Sequence, residues 1–227
     1  MRPKVSSGRV PQYALDWLAS SRLGFLEDLG KGKPMRYFSA HLPVMATWRE
    51  GERFPVNMTV KGLGLIPWER DLQDHTNTLE GVIAEARTMP WHESLPRRIE
   101  AASRTYRSSG NFDPCLLGGL EIFEGRAYEN LLENPMTSLL YVGMADSPEG
   151  MRYISFQVNG EVEILDRDND YYRYLLAARK LFEFDKFHLY QPDYPFGYLI
   201  RVTEVRDKSP WSKPRHGGNG PYNSTQD

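Results

Sequence analysis

Five histidines, one cysteine and a row of arginines hold most of the catalytic vocabulary of this 227-residue chain. His41, His75, His92, His188 and His216 never fall at H-x-H or H-E-x-x-H spacing, so the sequence offers no zinc constellation and no metal site is expected. His188 sits in FDKFHLYQPDYPFGY, an aromatic-rich stretch where a structural imidazole is the simpler reading. Cys115 follows Asp113-Pro114 without an identifiable His partner, and reads as an inert thiol before it reads as a nucleophile. Arg97, Arg98, Arg104 and Arg107 share one predicted helix; they can attract an anion, but a solvated face accounts for them more simply. There is no G-x-S-x-G, no Walker loop and no G-x-G-x-x-G.

The bulk properties narrow the field further. A net charge of −2 and a pI near 6.2 give no reason to expect nucleic acid or an anionic membrane as partner. No run approaches the roughly 20 apolar residues that span a bilayer. The basic start, MRPKVSSGRVPQ, leads into no signal-peptide core, so a cytoplasmic location is expected. A single cysteine excludes an intrachain disulfide. With 40% hydrophobic residues the chain can build one sizeable core, read as a single domain over 1–207 with a flexible tail over 208–227. The aromatics crowding 171–198 can build that core or line a pocket for a planar ligand.

The elements that would position these groups follow from periodicity. A short helix is predicted from Pro11 to about Ser21, then a pair of strands over Leu23–Asp28 and Met35–Trp48 around a Gly-Pro turn. Residues 53–66, RFPVNMTVKGLGLI, read as another strand, interrupted at Gly62 and Gly64. Between 67 and 110 the period changes. Leu79, Val82, Ile83 and Ala86 recur at helical spacing, and a second helix starts near Glu93–Pro96, giving a helical hairpin inserted between strands.

Strand 116–123, a short helix over 125–133 and an apolar strand over 137–143 come next. Ile154, Phe156, Val158, Gly160, Val162 and Ile164 keep one phase, which favours a long bent strand over a hairpin at Asn159-Gly160. An amphipathic helix capped at Asp168-Asn169 follows, with Tyr171, Tyr174, Leu175, Ala178, Leu181 and Phe182 as its stripe. A last strand is predicted over 197–205.

FEGRAYENLLENPMTSLLYV at 123–142 and FQVNGEVEIL at 156–165 resemble the middle of the pyridoxamine 5'-phosphate oxidase-like, FMN-binding split β-barrel superfamily, in a divergent branch. There a strand leads into a loop and helix of the form S-x-K/R-x-x-N-L-x-x-x-P, then an apolar strand and one carrying V-x-G-x-A/V-E. The last strand usually ends near a tryptophan, here Trp211. The resemblance covers the C-terminal half. It implies an α+β fold, a mostly antiparallel split β-barrel with flanking helices and a helical insertion at 67–110. It also implies FMN at the interface of a homodimer, and a flavin-dependent oxidoreductase acting on a small-molecule substrate.

A flavin mononucleotide carries a dianionic phosphate, and a helix start with a fixed guanidinium suits it. The resemblance thus points to Gly125 and Arg126 as phosphate ligands, with Lys61 as a second cation and Arg53 beside it. Asn57 and Thr59 would face the flavin's edge, and Ser155 and Gln157 its ring, approached also by backbone from 118–121. The sequence departs from the pattern too: Ala127 stands where the phosphate lysine belongs, Gly125 at the Ser position and Ser155 at the flavin-facing Gln. The oxidase's substrate-binding tail is missing. These departures leave room for a non-catalytic module that holds haem, with His188 as ligand, a deazaflavin or another molecule.

Overall fold

The unbroken period-two run at 150–165 is the spine of the molecule. It forms one 16-residue strand that alternates between buried and open positions. The computed structural model describes residues 5–33, 40–147, 150–182 and 194–210. In chain order the elements are β1 (Val5–Ser7), α1 (Gln12–Gly30), β2 (Val44–Trp48), β3 (Val56–Val60), β4 (Leu63–Pro67), α2 (Glu69–Ala86), α3 (Trp91–Tyr106), β5 (Phe112–Leu120), α4 (Arg126–Glu133), β6 (Met136–Ser147), β7 (Gly150–Leu165), α5 (Asp170–Lys180) and β8 (Gly197–Asp207).

All pairings are antiparallel, in the order β3-β2-β6-β7-β8-β5-β4, with β1 added to β8. The two ends of that order, β3 and β4, are consecutive in the chain and joined by Lys61-Gly62 alone. The join is itself paired: Lys61 N–H donates to the Pro43 carbonyl at 3.2 Å and Leu63 N–H to the His41 carbonyl at 2.9 Å. One extended run therefore pairs first with β2 and then with β5, and the sheet curls into a barrel. This is the α+β split β-barrel with a helical insertion that the sequence implies. The run at 53–66 is two strands serving opposite ends of the sheet, not one strand of a single neighbour.

Three other expectations are corrected. Leu23–Asp28 is not a strand but the second half of α1. Helical spacing continues through Leu15, Leu18 and buried Leu26, and the helix runs through Gly24 to Gly30 with no proline in it. The second insertion helix begins at Trp91, ahead of the expected Glu93. On α5 the buried tyrosines are Tyr172 and Tyr174, while Tyr171 sits at the margin; Tyr172 donates to the Tyr194 carbonyl at 2.7 Å. The Asn169 cap is present, its Oδ1 accepting from Tyr171 N–H at 2.9 Å. Expectations for 35–39, His188, Trp211, His216 and the tail from 211 lie outside the described residues.

β7 does not turn at Gly160. The register slips there, leaving Thr203 of β8 as the extra residue, and a side chain at Gly160 would meet the Arg201 carbonyl at 2.7 Å. Two cores result. One fills the barrel with Met45, Leu139, Tyr141, Phe156, Val158 and Ile200, closed by Leu15, Trp17 and Leu18 of α1. The other lies between the outer wall of β4, β5 and β8 and the helices, through Ile66, Leu79, Leu116, Tyr172, Leu175 and Leu199. Among the described residues no helix covers the outer wall of β3, β2, β6 and β7 in the same way, and that asymmetry shapes the site.

Candidate functional site

Lys61 lies at the barrel's closure, and its side chain is 14% exposed. Its Nζ donates to both carboxylate oxygens of Glu121 at 2.7 Å. Glu121 is fully buried at the end of β5. It also accepts the Tyr198 hydroxyl and the backbone N–H groups of Ile122 at 3.0 Å and Phe123 at 2.9 Å. A buried carboxylate is tolerable only when paired and hydrogen-bonded, and this one is both. Burial first, then the bond to Glu121, pushes the Tyr198 phenol pKa up. The Lys61 charge is thus committed inside the protein.

Glu121 opens the loop that leads to α4. Gly125 is the N-cap and Arg126 the first residue of the helix, the one exposed and the other extending to Glu52 on the β2–β3 loop, with which it forms an ion pair. A second pair, Arg49 with Glu133, ties the same loop to the other end of α4. Ala127 is buried, so the position where the resemblance expects a phosphate lysine is here a packing position. Buried Asn130 donates from Nδ2 to the Thr47 hydroxyl at 3.2 Å and anchors α4 on β2, while its Oδ1 has no hydrogen-bond partner among the described residues.

The remaining candidates divide between two faces of the sheet. Thr47 stands opposite Asn57 and Met45 opposite Thr59, so Asn57 and Thr59 share the inner face with α4. Gln157 and Ser155 stand opposite Leu140 and Val142 on the outer face. There Gln157 Nε2 donates to Asn159 Oδ1 at 2.8 Å, the Ser138 hydroxyl donates to the same oxygen at 2.7 Å, and Asn159 Nδ2 donates to Glu204 at 2.6 Å. Within one protomer, then, Arg126, Gly125, Asn57 and Thr59 form one group and Ser155 and Gln157 another, with Lys61 buried at the closure.

Beside that polar ladder the outer face is apolar. Val60, Val44 and Leu140 stand in one row with Gln157, and Met58 and Ala46 in the next with Ser138 and Asn159. Val142 follows, and Met144 faces Tyr153. Met58 is 67% exposed and Tyr153 62%, on a sheet whose other outer half is sealed by α2 and α5.

The barrel interior offers little room. Arg22, His41, Leu63, Tyr106, Leu117 and Tyr141 surround a cavity of about 10 Å³, the space of a single water. A cavity of that size admits no planar cofactor. Burial, with the cations of Arg22 and Arg179 nearby, pushes the His41 pKa down to about 3, against a raising contribution from its bond to Leu63. The folded state favours neutral His41, whereas the unfolded chain takes a proton near pH 6.5. Stability is therefore present above that value and falls as pH drops toward 3. We expect a loss of about 1–2 kcal/mol between pH 7 and pH 5 that the His41→Gln variant lacks. Urea unfolding of both proteins at the two pH values checks this; equal slopes would remove His41 from the acid response.

The other chemical candidates serve structure. Arg97 pairs with Glu85, and Arg104 and Arg107 with Glu100. Arg98 is buried over the Trp91 ring and donates to the Leu181 carbonyl at 2.7 Å. Burial raises the Cys115 thiol pKa, with Asp113 adding to it, which suits an unreactive thiol. Among the described residues no group of three or more His, Cys, Asp or Glu is placed to hold a metal ion, and no helix is long and apolar enough to cross a membrane. Sequence reasoning missed Glu121, Glu52 and Tyr198. The signal for Glu121 was its phase: it continues the inward set Leu117-Gly119, where an acid demands a buried partner.

No family model matches the chain, and no curated protein matches it. Among solved structures it is similar to a provisionally named pyridoxamine 5'-phosphate oxidase from Lactobacillus delbrueckii, with 16% identity over 89% of this chain and 98% of that one and a TM-score of 0.43. It is similar to an FMN-binding protein from Syntrophomonas wolfei at 11% identity, covering 86% and 91% with a TM-score of 0.43. HutZ, the haem storage protein from Vibrio cholerae, gives 9% identity, 76% and 90% coverage and a TM-score of 0.41. By its own strand order and closure the chain is a split β-barrel protein.

Proposed function

We propose that this chain binds FMN as a homodimer in the cytoplasm and serves as a flavin-dependent oxidoreductase for a small-molecule substrate. The observation that carries the reading is the bare outer wall of β3, β2, β6 and β7, an apolar surface bordered by the Ser138–Gln157–Asn159 ladder. An apolar sheet face of this extent favours a partner, and an identical face on a second copy is self-complementary. A flavin ring has apolar faces and a polar pyrimidine edge, and such a surface supplies contacts for both. The filled barrel supports binding outside the interior. Bound flavin would supply hydride transfer, while the protein orients the ring and excludes water.

Three measurements test this reading. The purified protein is expected to show a flavin absorption spectrum and to release a chromophore of FMN mass; a colourless protein that ignores added FMN sinks it. Arg126→Ala is expected to weaken FMN about tenfold, the worth of one charged hydrogen bond, and to leave riboflavin unchanged. Equal loss of both ligands takes Arg126 out of phosphate binding. Light scattering is expected to give a dimer for the wild type and a monomer for Leu140→Glu, whose charge would be buried at the contact. A monomeric wild type refutes the homodimer.

The buried Ala127 and the Arg126–Glu52 pair favour a second reading, a binding module that carries haem or a deazaflavin without turnover. Reduction of the bound chromophore by a nicotinamide nucleotide, followed by reoxidation, decides for the enzyme.

A further inference from the structure

The geometry points to Glu121 as a positioning residue that sets the loop presenting Arg126, and hence the preference for a phosphate-bearing ligand over its dephosphorylated form; this rests on the phosphate role given to Arg126 above. Glu121 is fully buried, so it acts on a ligand only through other residues. Its contacts tie one turn of chain to the ends of two barrel strands. Oε1 accepts the N–H groups of Ile122 and Phe123, the first two residues of the loop to Arg126. Oε2 takes the Tyr198 hydroxyl from β8, and Lys61 bridges both oxygens from the barrel's closure.

The rest of the loop is held by bonds that depend on that turn. Glu121 N–H donates to the Phe196 carbonyl at 2.9 Å, Gly125 N–H to the Phe123 carbonyl, and Tyr128 stacks on Phe196 at 5.1 Å with the rings 8° apart. Gly125 is the hinge into α4 and carries no side chain to fix its direction. The Glu121 carboxylate gives two acceptor positions to loop backbone, which ties the path from Ile122 to Arg126 to its charge. A neutral amide accepts those bonds more weakly than an ionised carboxylate does.

The test compares wild type with Glu121→Gln, and with K61M/E121Q, in which no charge is stranded. Affinities for FMN and riboflavin are measured side by side, together with amide hydrogen exchange over 121–127. We expect the FMN-over-riboflavin preference to fall from about tenfold toward unity, riboflavin affinity to hold, and exchange to rise at Ile122 and Phe123 ahead of the barrel strands. A folded variant that keeps the preference, or one that loses both ligands in equal proportion, overturns the positioning role. Should Glu121→Gln fail to fold, the double variant is judged by the same two criteria. A wild type that binds FMN and riboflavin equally fells the phosphate reading of Arg126 and this inference with it. An Arg126-dependent preference that survives in both Glu121 variants fells the inference alone.

Discussion

Lys61→Met is expected to cost about 3–5 kcal/mol of folding stability, because it leaves the Glu121 carboxylate buried without its counter-charge. Methionine matches the lysine stem in volume, so the loss reads on charge and not on packing. The remaining donors, Ile122 N–H, Phe123 N–H and the Tyr198 hydroxyl, are retained and soften the cost without cancelling it. K61M/E121Q removes the stranded charge and is expected to recover more than half of the loss, giving a coupling energy of about 2 kcal/mol or more in the cycle. Equilibrium denaturation of the four proteins measures it. A Lys61→Met variant within 1 kcal/mol of wild type would show that Lys61 is not what keeps Glu121 buried. Lys61 was a candidate phosphate ligand by resemblance, and a stable variant with weakened FMN binding would return it to that role.

Gly119→Ala is expected to be nearly as damaging, at about 3 kcal/mol. A methyl at position 119 would collide with the Gly62 carbonyl and stand 2.7 Å from Leu63 Cδ2. Both belong to the join that carries the chain from β3 to β4, and backbone there cannot move without breaking the bonds to Pro43 and His41. The expected signature is a lowered midpoint in denaturant. The control is Gly24→Ala, on α1 with nothing within 4 Å of the added methyl, which is expected to hold or gain stability. A Gly119→Ala midpoint equal to wild type would mean that the closure yields easily.

Much of this architecture was written in periodicity. The phase of Ile154 to Ile164 marked β7 as one strand through Gly160, and the 3.6-residue spacing of Leu79 to Ala86 marked the inserted hairpin, although its first helix starts at Glu69 and not at the capping box that Asn77 and Glu80 suggest. What periodicity could not show was partnership. RFPVNMTVKGLGLI carries strand residues throughout, and nothing local says that Val56–Val60 and Leu63–Pro67 serve opposite ends of a sheet. Leu23–Asp28 resembles a strand because a Gly-Pro turn lies downstream, but the helical phase of Leu15, Leu18 and Leu26 prevails. At the site, residue type located Gly125 and Arg126 at a helix start, where the structure has them. Pairing across distance decided the rest: Lys61 is spoken for by Glu121, 60 residues on, and Arg126 by Glu52, 74 residues back. Such partners become visible only once the barrel closes.

The segment Val56–Val60 also bears on how this protein behaves at high concentration. It is hydrogen-bonded to β2 on one side, terminates the strand order on the other, and shows Val56, Met58 and Val60 to solvent. A short, uncharged, β-prone edge of this kind is a template for adding foreign strands, the first step of aggregation. Pro55, which cannot donate to a growing ladder, guards one end of it. Anything that covers this edge, a second copy included, should therefore extend the protein's shelf life as well as complete its surface.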